Sequence, residues 1–554
     1  MAEKIVSPGV FTKEIDASFL PSAIGDIGAA VVGPTVKGPA MVPTVVSSYS
    51  EYKAVFGDTF KSGSNYYTYL TSTTAEQYLK HSGKLTVVRI LDATFGGASS
   101  LVVTGSGGEV NKYNFTGSAA VNAVETLGQN TSFKLNTIAD GAIMNNADDH
   151  TAIKMASQTG SNNILVSGSV DNIRWEVTST NVSKGTFTLL IRRGDDTHKR
   201  KQILETWNNL SLDPNQSNYI SKVIGDSYAE IDQTDASDPF IKYTGQYPNK
   251  SKYVYVSDVN DTVDYLDENG NVRYATNGVG WHQSASLPGL GSGSYHGSFT
   301  GGSNGAAGFD SVGKPSGTYS SQYLFYDKIS GENSQGFDLA STTSEDGGSA
   351  YMAALNLLAN ADEYDINLLL LPGIVDNLTG AHSGIITKAI DVCESRGDCF
   401  LIYDTVDHSV TDLSTVTAKA STRDSNYAAT YWPWCQINEP QTGKFRWVPP
   451  STVLAGIYAF NDKIAAPWFA PAGLNRGGLD TVIQAARKLT HSNRDDLYES
   501  NVNPIATFPG QGVCVWGQKT LQKKSSALDR VNVRRLLIKL RKFIASTSRF
   551  LVFE

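Results

Sequence analysis

Cysteine is scarce in this chain: Cys393, Cys399, Cys435 and Cys514 are the only four among 554 residues, and none stands in a Cys-x-x-Cys pair. Neither a zinc site nor a disulfide framework is indicated, and reduced, mostly buried thiols made in a cytosol are expected. No apolar run approaches the roughly 20 residues a membrane-spanning helix needs, so no membrane insertion is expected. The amino terminus, Met-Ala-Glu-Lys-Ile-Val-Ser-Pro-Gly, lacks a signal-peptide apolar core. Only 18% of residues are charged and the net charge is -8. That balance speaks against a duplex-binding protein, which needs a basic footprint, and no direct nucleic-acid contact is expected.

What is present is turn-forming material and length. There are 51 glycines with many Ser, Thr and Asn, which points to numerous turns and a β-rich surface. The length argues for several domains. Mean hydropathy, at -0.23, is ordinary for a soluble globular protein. Charge is unevenly spread. From Lys519 to Arg549 ten basic residues face one acid, Asp529, a local +9 that leaves -17 for the rest of a chain of net -8. A basic end and an acidic body can attract each other between copies.

The pattern predicts an α/β core, a mixed sheet with helices on both faces, carrying large β-rich insertions and an extended amino-terminal arm. Residues 1–23 alternate loosely and read as the arm, a strand whose unpaired edge gains from joining another sheet. Residues 24–91 bring a strand at Ile27–Gly33, a Ser-capped helix near Ser48–Phe56, a helix over about Asn65–His81 and a strand at Leu85–Leu91. Alternation resumes at 350: a helix at Tyr351–Asn360, a strand at Ile366–Leu371 ending at Pro372-Gly373, a helix at Gly384–Arg396 and a strand at Cys399–Tyr403. Uniformly apolar strands between helices indicate a sheet covered on both faces. The simplest organisation joins 24–91 and 350–436 as one α/β domain and inserts β-rich 92–349, divisible at about 200/201, with 437–554 as a carboxy-terminal domain.

Chemistry-bearing motifs are few. Gly308-Phe-Asp-Ser-Val-Gly-Lys314 has P-loop spacing, but Pro315 replaces the hydroxyl that holds magnesium and disfavours a following helix, so a loop is expected. The cluster Gly289-Leu-Gly-Ser-Gly293 completes no dinucleotide fingerprint. Asp404, Asp407 and His408 could suggest metal or acid/base work, yet a polar turn after a strand is the plainer reading. Asp195-Asp-Thr-His-Lys-Arg-Lys201 reads as a solvated hairpin tip between two strands. No His-Glu-x-x-His is present. No catalytic, metal or cofactor-binding residue is assigned, and the chain is not expected to be an enzyme.

The final helix says more. After Asp529, a good cap, Val533, Leu536, Leu537, Leu540, Phe543 and Ile544 recur at three- and four-residue steps and make one face. That face is expected to be buried, at about 1.5–3 kcal/mol per side chain before entropy. Arg535, Lys539 and Lys542 fall beside it, either as a solvated surface or paired with acidic surface on another subunit.

Several segments, taken in order, resemble bacteriophage contractile tail sheath proteins. They are Ser7-Pro-Gly-Val-Phe11 with Glu14; Val31-Val-Gly33, Lys37-Gly-Pro39 and Tyr52 to Gly57; Leu204-Glu-Thr-Trp-Asn-Asn-Leu-Ser-Leu-Asp-Pro214; and Phe299-Thr-Gly-Gly. The run from Trp447 onward adds Val513-Cys-Val-Trp-Gly-Gln-Lys-Thr-Leu521 and Val531-Asn-Val-Arg-Arg-Leu536. The resemblance implies a structural subunit that stacks as hexameric rings or a helix around a tail tube and contracts to drive it through the host envelope. It implies as partners the chain itself, the tail tube protein, and baseplate and tail terminator proteins, with a place in the virion tail after assembly in the host cytoplasm. The segment 437–554 would be tube-proximal. Subunit contacts are expected at Pro8, Gly9, Val10 and Phe11 in the arm, and at Trp516, Arg530, Arg534, Arg535, Lys539 and Lys542. Family members usually continue past the segment matching Leu551-Val-Phe-Glu554. The sheath of a phage-derived injection system or bacteriocin has the same physics. A reading of another class is a surface adhesin whose β-rich insertion, with Trp281 and Tyr295, binds glycans.

Overall fold

The computed structural model describes residues 28–548 apart from 63–64, 92–93, 104–130, 147–167, 198, 273–286, 289–297, 306–328, 344–345 and 440–442. The arm with Pro8, Gly9, Val10 and Phe11, the Gly289–Gly293 and Gly308–Lys314 segments, Trp281, Tyr295 and Leu551–Glu554 lie outside the described residues.

Short, continuously apolar segments can only be satisfied inside a sheet covered on both sides. Eight strands take that role, in the spatial order Thr44–Val46, Leu85–Arg89, Gly28–Gly33, Ile366–Val375, Phe400–Asp404, Ala428–Trp432, Val502–Phe508, Gly512–Val515. The six inner strands run parallel and the two edge strands antiparallel, so the sheet is mixed. Gly28–Gly33 pairs directly with Ile366–Val375, although all of 90–365 separates them in sequence.

Alternate residues of these strands feed two cores. Ala29, Val31, Val87, Leu368, Leu370 and Ile402 pack with Leu70, Ala75 and Tyr78 of the helix Leu70–Leu79 and with Val453, Leu454 and Ile457 of the helix Pro450–Ile464. Ala30, Val32, Val88, Leu369, Leu371 and Leu401 face the other way, against the helices Asp346–Leu358 and His382–Arg396. Gly33 permits the first packing: a Cβ there would stand 2.4 Å from Thr71 Oγ1.

Three expectations need correcting. Asn65–Thr68 is not helical but a strand, hairpinned with Thr59–Ser62, and the helix begins only at Leu70. The reason is aromatic pairing: the Phe60 and Tyr67 rings sit 5.5 Å apart across that hairpin. The strand from Ile366 does not end at Pro372-Gly373 but runs to Val375 through a register irregularity, where Ser334 and Gln335 side chains donate to the Gly373 and Pro372 carbonyls. The segment from 437 does not stand apart, because Val502–Phe508 and Gly512–Val515 continue the same sheet beyond Ala428–Trp432. That parallel strand would otherwise leave an open edge.

Between 97 and 305 the described residues are β-rich. Ile173–Asn181, Thr186–Arg193 and Ile203–Ser211 form an antiparallel meander, and Gly97–Val103, Thr131–Asp140 and Val254–Ser257 a second sheet. Both share a core with Phe133, Trp175, Phe187 and Leu189. Tyr228–Asp232 and Phe240–Thr244 make a separate hairpin.

Candidate interaction surface

The positions that suggested acid/base chemistry are tied into the fold. Asp404 is buried at the end of its strand and accepts from the Ser451 amide at 3.0 Å and hydroxyl at 2.6 Å, capping the helix Pro450–Ile464. Burial pushes its carboxyl up to about 7, against the two Ser451 bonds. Asp407 accepts from Asn377, and the His408 ring lies 5.5 Å from Trp434. The tip at 195–201 is not merely solvated. Asp196 is buried and accepts from Arg192 at 2.7 Å and Arg174 at 3.3 Å, while Glu176 takes Arg192 at 2.9 Å and Lys201 at 2.7 Å.

Gly301-Gly-Ser-Asn-Gly305 has the spacing of a nucleophile elbow. Its setting is wrong for one. Ser303 bridges antiparallel to Gly96 and its hydroxyl accepts the Gly305 amide at 3.0 Å, with no strand-to-helix turn. A cleft of about 230 Å³ lies between the helix Leu70–Leu79 and the strand Phe445–Val448. Among its charged residues Glu439 pairs with Arg446 at 2.9 Å and Glu76 with Lys80 at 3.6 Å, while Asp58 accepts from Tyr49 at 2.8 Å and Ser72 at 3.0 Å. Among the described residues no three His, Cys, Asp or Glu side chains cluster as a metal site would require. All four cysteines are free and buried.

The helix Val531–Ser548 is where the structure departs most from expectation. Its buried residues are Val531, Arg534, Arg535 and Ile538; of the predicted core face Val533 and Leu536 are half-buried and the other four look outward. Leu537, Leu540, Phe543 and Ile544 are 40%, 43%, 50% and 62% exposed. The cause is that the inward face finds partners for its charges. Arg535 makes a two-pronged pair with Asp462 at 2.8 and 2.5 Å, and its guanidinium lies 4.9 Å from the Tyr458 ring centre. Arg534 lies over Tyr427 at 4.1 Å, and burial pulls its pKa below the usual arginine value. Lys542 reaches Asp365 at 2.6 Å, Asp398 at 3.3 Å and the Ile366 carbonyl at 2.7 Å. Three of the five cations that suggested a docking face are therefore spent inside the molecule.

The remaining predicted contact residues are scattered. Arg530 pairs with Asp529 at 3.1 Å beside the Tyr498 ring. Trp516 is 42% exposed at the end of the last sheet strand, 4.6 Å from Phe508. Lys539 is half-buried and Arg541 exposed, one on each side of the apolar stripe. Arg541 also reaches the end of the helix His382–Arg396, where Gly397 has φ 65° and a Cβ would meet its guanidinium. Ile464, Trp468 and Phe469 are exposed as well, and Asn532 donates to the Trp468 carbonyl at 3.5 Å, which places that apolar loop at the start of the helix. No signal in the spacing distinguishes a face packed on its own chain from one left for another surface.

Comparison with known proteins gives this arrangement a context. Residues 347–521 match the phage tail sheath protein central domain. The chain is 37% identical over 146 residues to the tail sheath protein of Vibrio phage KVP40, an alignment covering 26% of this chain and 21% of that protein. It is 28% identical over 219 residues to the tail sheath protein of Enterobacteria phage T4, covering 37% and 33%. These alignments thus span a fifth to a third of the relatives' length. A crystal structure of a sheath tail protein from Listeria innocua aligns over 95% of this chain and 78% of that one, with 9% identity and a TM-score of 0.48.

Proposed function

We propose, from the match of residues 347–521 to the phage tail sheath protein central domain, that the chain is a structural subunit of a contractile tail sheath. Copies polymerise as stacked rings or a helix around the tail tube, and the sheath contracts to drive the tube through the host envelope for genome ejection. The observation that carries this reading is the match itself, which spans the last five strands of the central sheet from Ile366 to Val515.

The physics is compatible. A sheath needs a rigid body that can be rotated whole, and a sheet with packed cores on both faces supplies one. It also needs contacts that do not close on themselves, and the arm at 1–23 is proposed as one of them. The segment 437–554 is proposed as the tube-proximal part, with baseplate and terminator proteins at the ends of the polymer. The work is mechanical, without enzyme chemistry or cofactor, in the virion tail after assembly in the host cytoplasm.

Negative-stain electron microscopy of the purified chain, alone and with tail tubes, tests the proposal. Hollow cylinders or tube-coating rings are expected, and a chain that remains monomeric under all conditions refutes it. Removing residues 1–20 should leave a folded monomer that no longer polymerises.

A further inference from the structure

Two surfaces of this chain are at once apolar and charged, with opposite signs. One is the outward stripe of the helix Val531–Ser548, where Leu537, Leu540, Phe543 and Ile544 run between Lys539 on one side and Arg541 on the other. That helix contains no acidic residue.

The other is the hairpin of Tyr228–Asp232 and Phe240–Thr244. Phe240 is 52% exposed and stands opposite Asp232 across the pair, and Tyr243, on the same strand, is 72% exposed. Asp235 and Asp238 lie in the exposed turn between the strands. Residues 228–244 hold four carboxylates against one amine, Lys242, which already lies 3.7 Å from Glu230. The hairpin is held from behind, where Ile231 packs on the sheet core and the Ala236 carbonyl accepts from Asn356 at 2.7 Å. Phe240, on the face away from Ile231 and Ile241, is therefore not what attaches it.

We propose that the outward stripe of this helix in one copy is covered by the acidic hairpin of a second copy. Phe240 seats on Leu537, Leu540 and Phe543, while Asp232, Asp235 and Asp238 face Lys539 and Arg541. Apolar cores with oppositely charged rims are how two surfaces select each other and fix their register. Helix against helix would oppose basic rims, and hairpin against hairpin acidic ones, so like surfaces do not pair. Because the surfaces are unlike, the contact is head-to-tail and leaves one of each open at the ends of any chain of copies. The proposal rests on the sheath reading for its premise that copies assemble, and adds which surfaces meet.

Charge reversal on the full chain tests it, read by sedimentation velocity at low and high salt and by negative-stain microscopy. Lys539→Glu with Arg541→Glu, or Asp235→Lys with Asp238→Lys, should each weaken self-association at least about tenfold. Mixing the two reversed chains should restore it, because each then presents what the other needs. Asp235 and Asp238 are exposed, Lys539 is half-buried and Arg541 lies against the end of the helix His382–Arg396, so thermal melting is measured beside assembly to separate lost contact from lost fold, and Leu540→Asp provides a second disruption that acts through the apolar stripe. Parent-like assembly by both reversed chains and by Leu540→Asp overturns the inference and leaves the sheath reading standing. Loss without recovery on mixing also overturns it and assigns the stripe to a different polypeptide. A parent chain that never assembles refutes the sheath reading itself.

Discussion

Two helices of this protein, Pro450–Ile464 and Val531–Ser548, lie in contact and solve opposite problems. The first buries residues nearly all round: Val453, Leu454, Ala455, Ile457, Tyr458 and Asn461 are all enclosed. The second buries arginines and exposes its leucines. They touch through Arg535, which pairs with Asp462 and covers Tyr458. A charge matched at close range by an existing carboxylate can hold one helix face on its own chain, and it leaves the apolar face free. Amphipathicity thus announces a face that must be covered without saying by what.

The comparison can be broken most forcefully through the cap of the first helix. Asp404 has its folded pKa raised by burial to about 7, while the unfolded value stays near the ordinary 3.8. Between those values the unfolded chain has given up the proton and the folded one keeps it, so stability should fall as pH rises from about 4 to about 7. The loss is on the order of 4 kcal/mol if this group acts alone. Urea unfolding of the parent and of Asp404→Asn across that range should show a slope in the first that is reduced in the second. Equal slopes would remove Asp404 from the account.

Truncating equivalent leucines sharpens the contrast. Leu454→Ala, in a fully enclosed site, should cost about 2–5 kcal/mol. Arg535→Met should cost about 1–3 kcal/mol, because Asp462 loses its partner at a site that remains partly open to water. Leu540→Ala should change the monomer's stability by less than about 0.5 kcal/mol. Denaturant midpoints read all three. A Leu540 cost matching that of Leu454 would mean that the outward stripe is packed after all.

These expectations also revise one that the sequence invited. Reversing Arg534 and Arg535 to Glu, which the basic pattern marks as a way to block assembly, should instead unfold the end of the chain, since both guanidiniums are enclosed. Lys539, half-buried, and Arg541, exposed at the end of the helix His382–Arg396, are the cations that flank the apolar stripe of that helix.

Much of the fold was legible because burial on two faces forces an unmistakable pattern. Gly-Ala-Ala-Val-Val-Gly at 28–33 and Ile-Asn-Leu-Leu-Leu-Leu at 366–371 can hardly be anything but inner strands, and Ser48 caps its helix through the Glu51 amide as its residue type suggests. Legibility failed where a distant segment overrode local preference. Tyr66 and Tyr67 became strand through a hairpin, and Pro372-Gly373 stayed within a strand because Ser334 and Gln335 hold its carbonyls. Of the candidate contact residues, Arg534, Arg535 and Lys542 meet partners within the chain, which the spacing along the helix does not reveal.

By itself the sequence determined the elements, the two-faced sheet and the segments that resemble a sheath, because periodicity and apolar content act locally and survive without knowledge of neighbours. Only the tertiary structure decided which side of the final helix is inside. That choice depended on Asp462, Asp365, Asp398 and Tyr427 arriving from remote parts of the chain to match its cations. Pairing of buried charge is a property of three-dimensional proximity, and no spacing along one helix contains it.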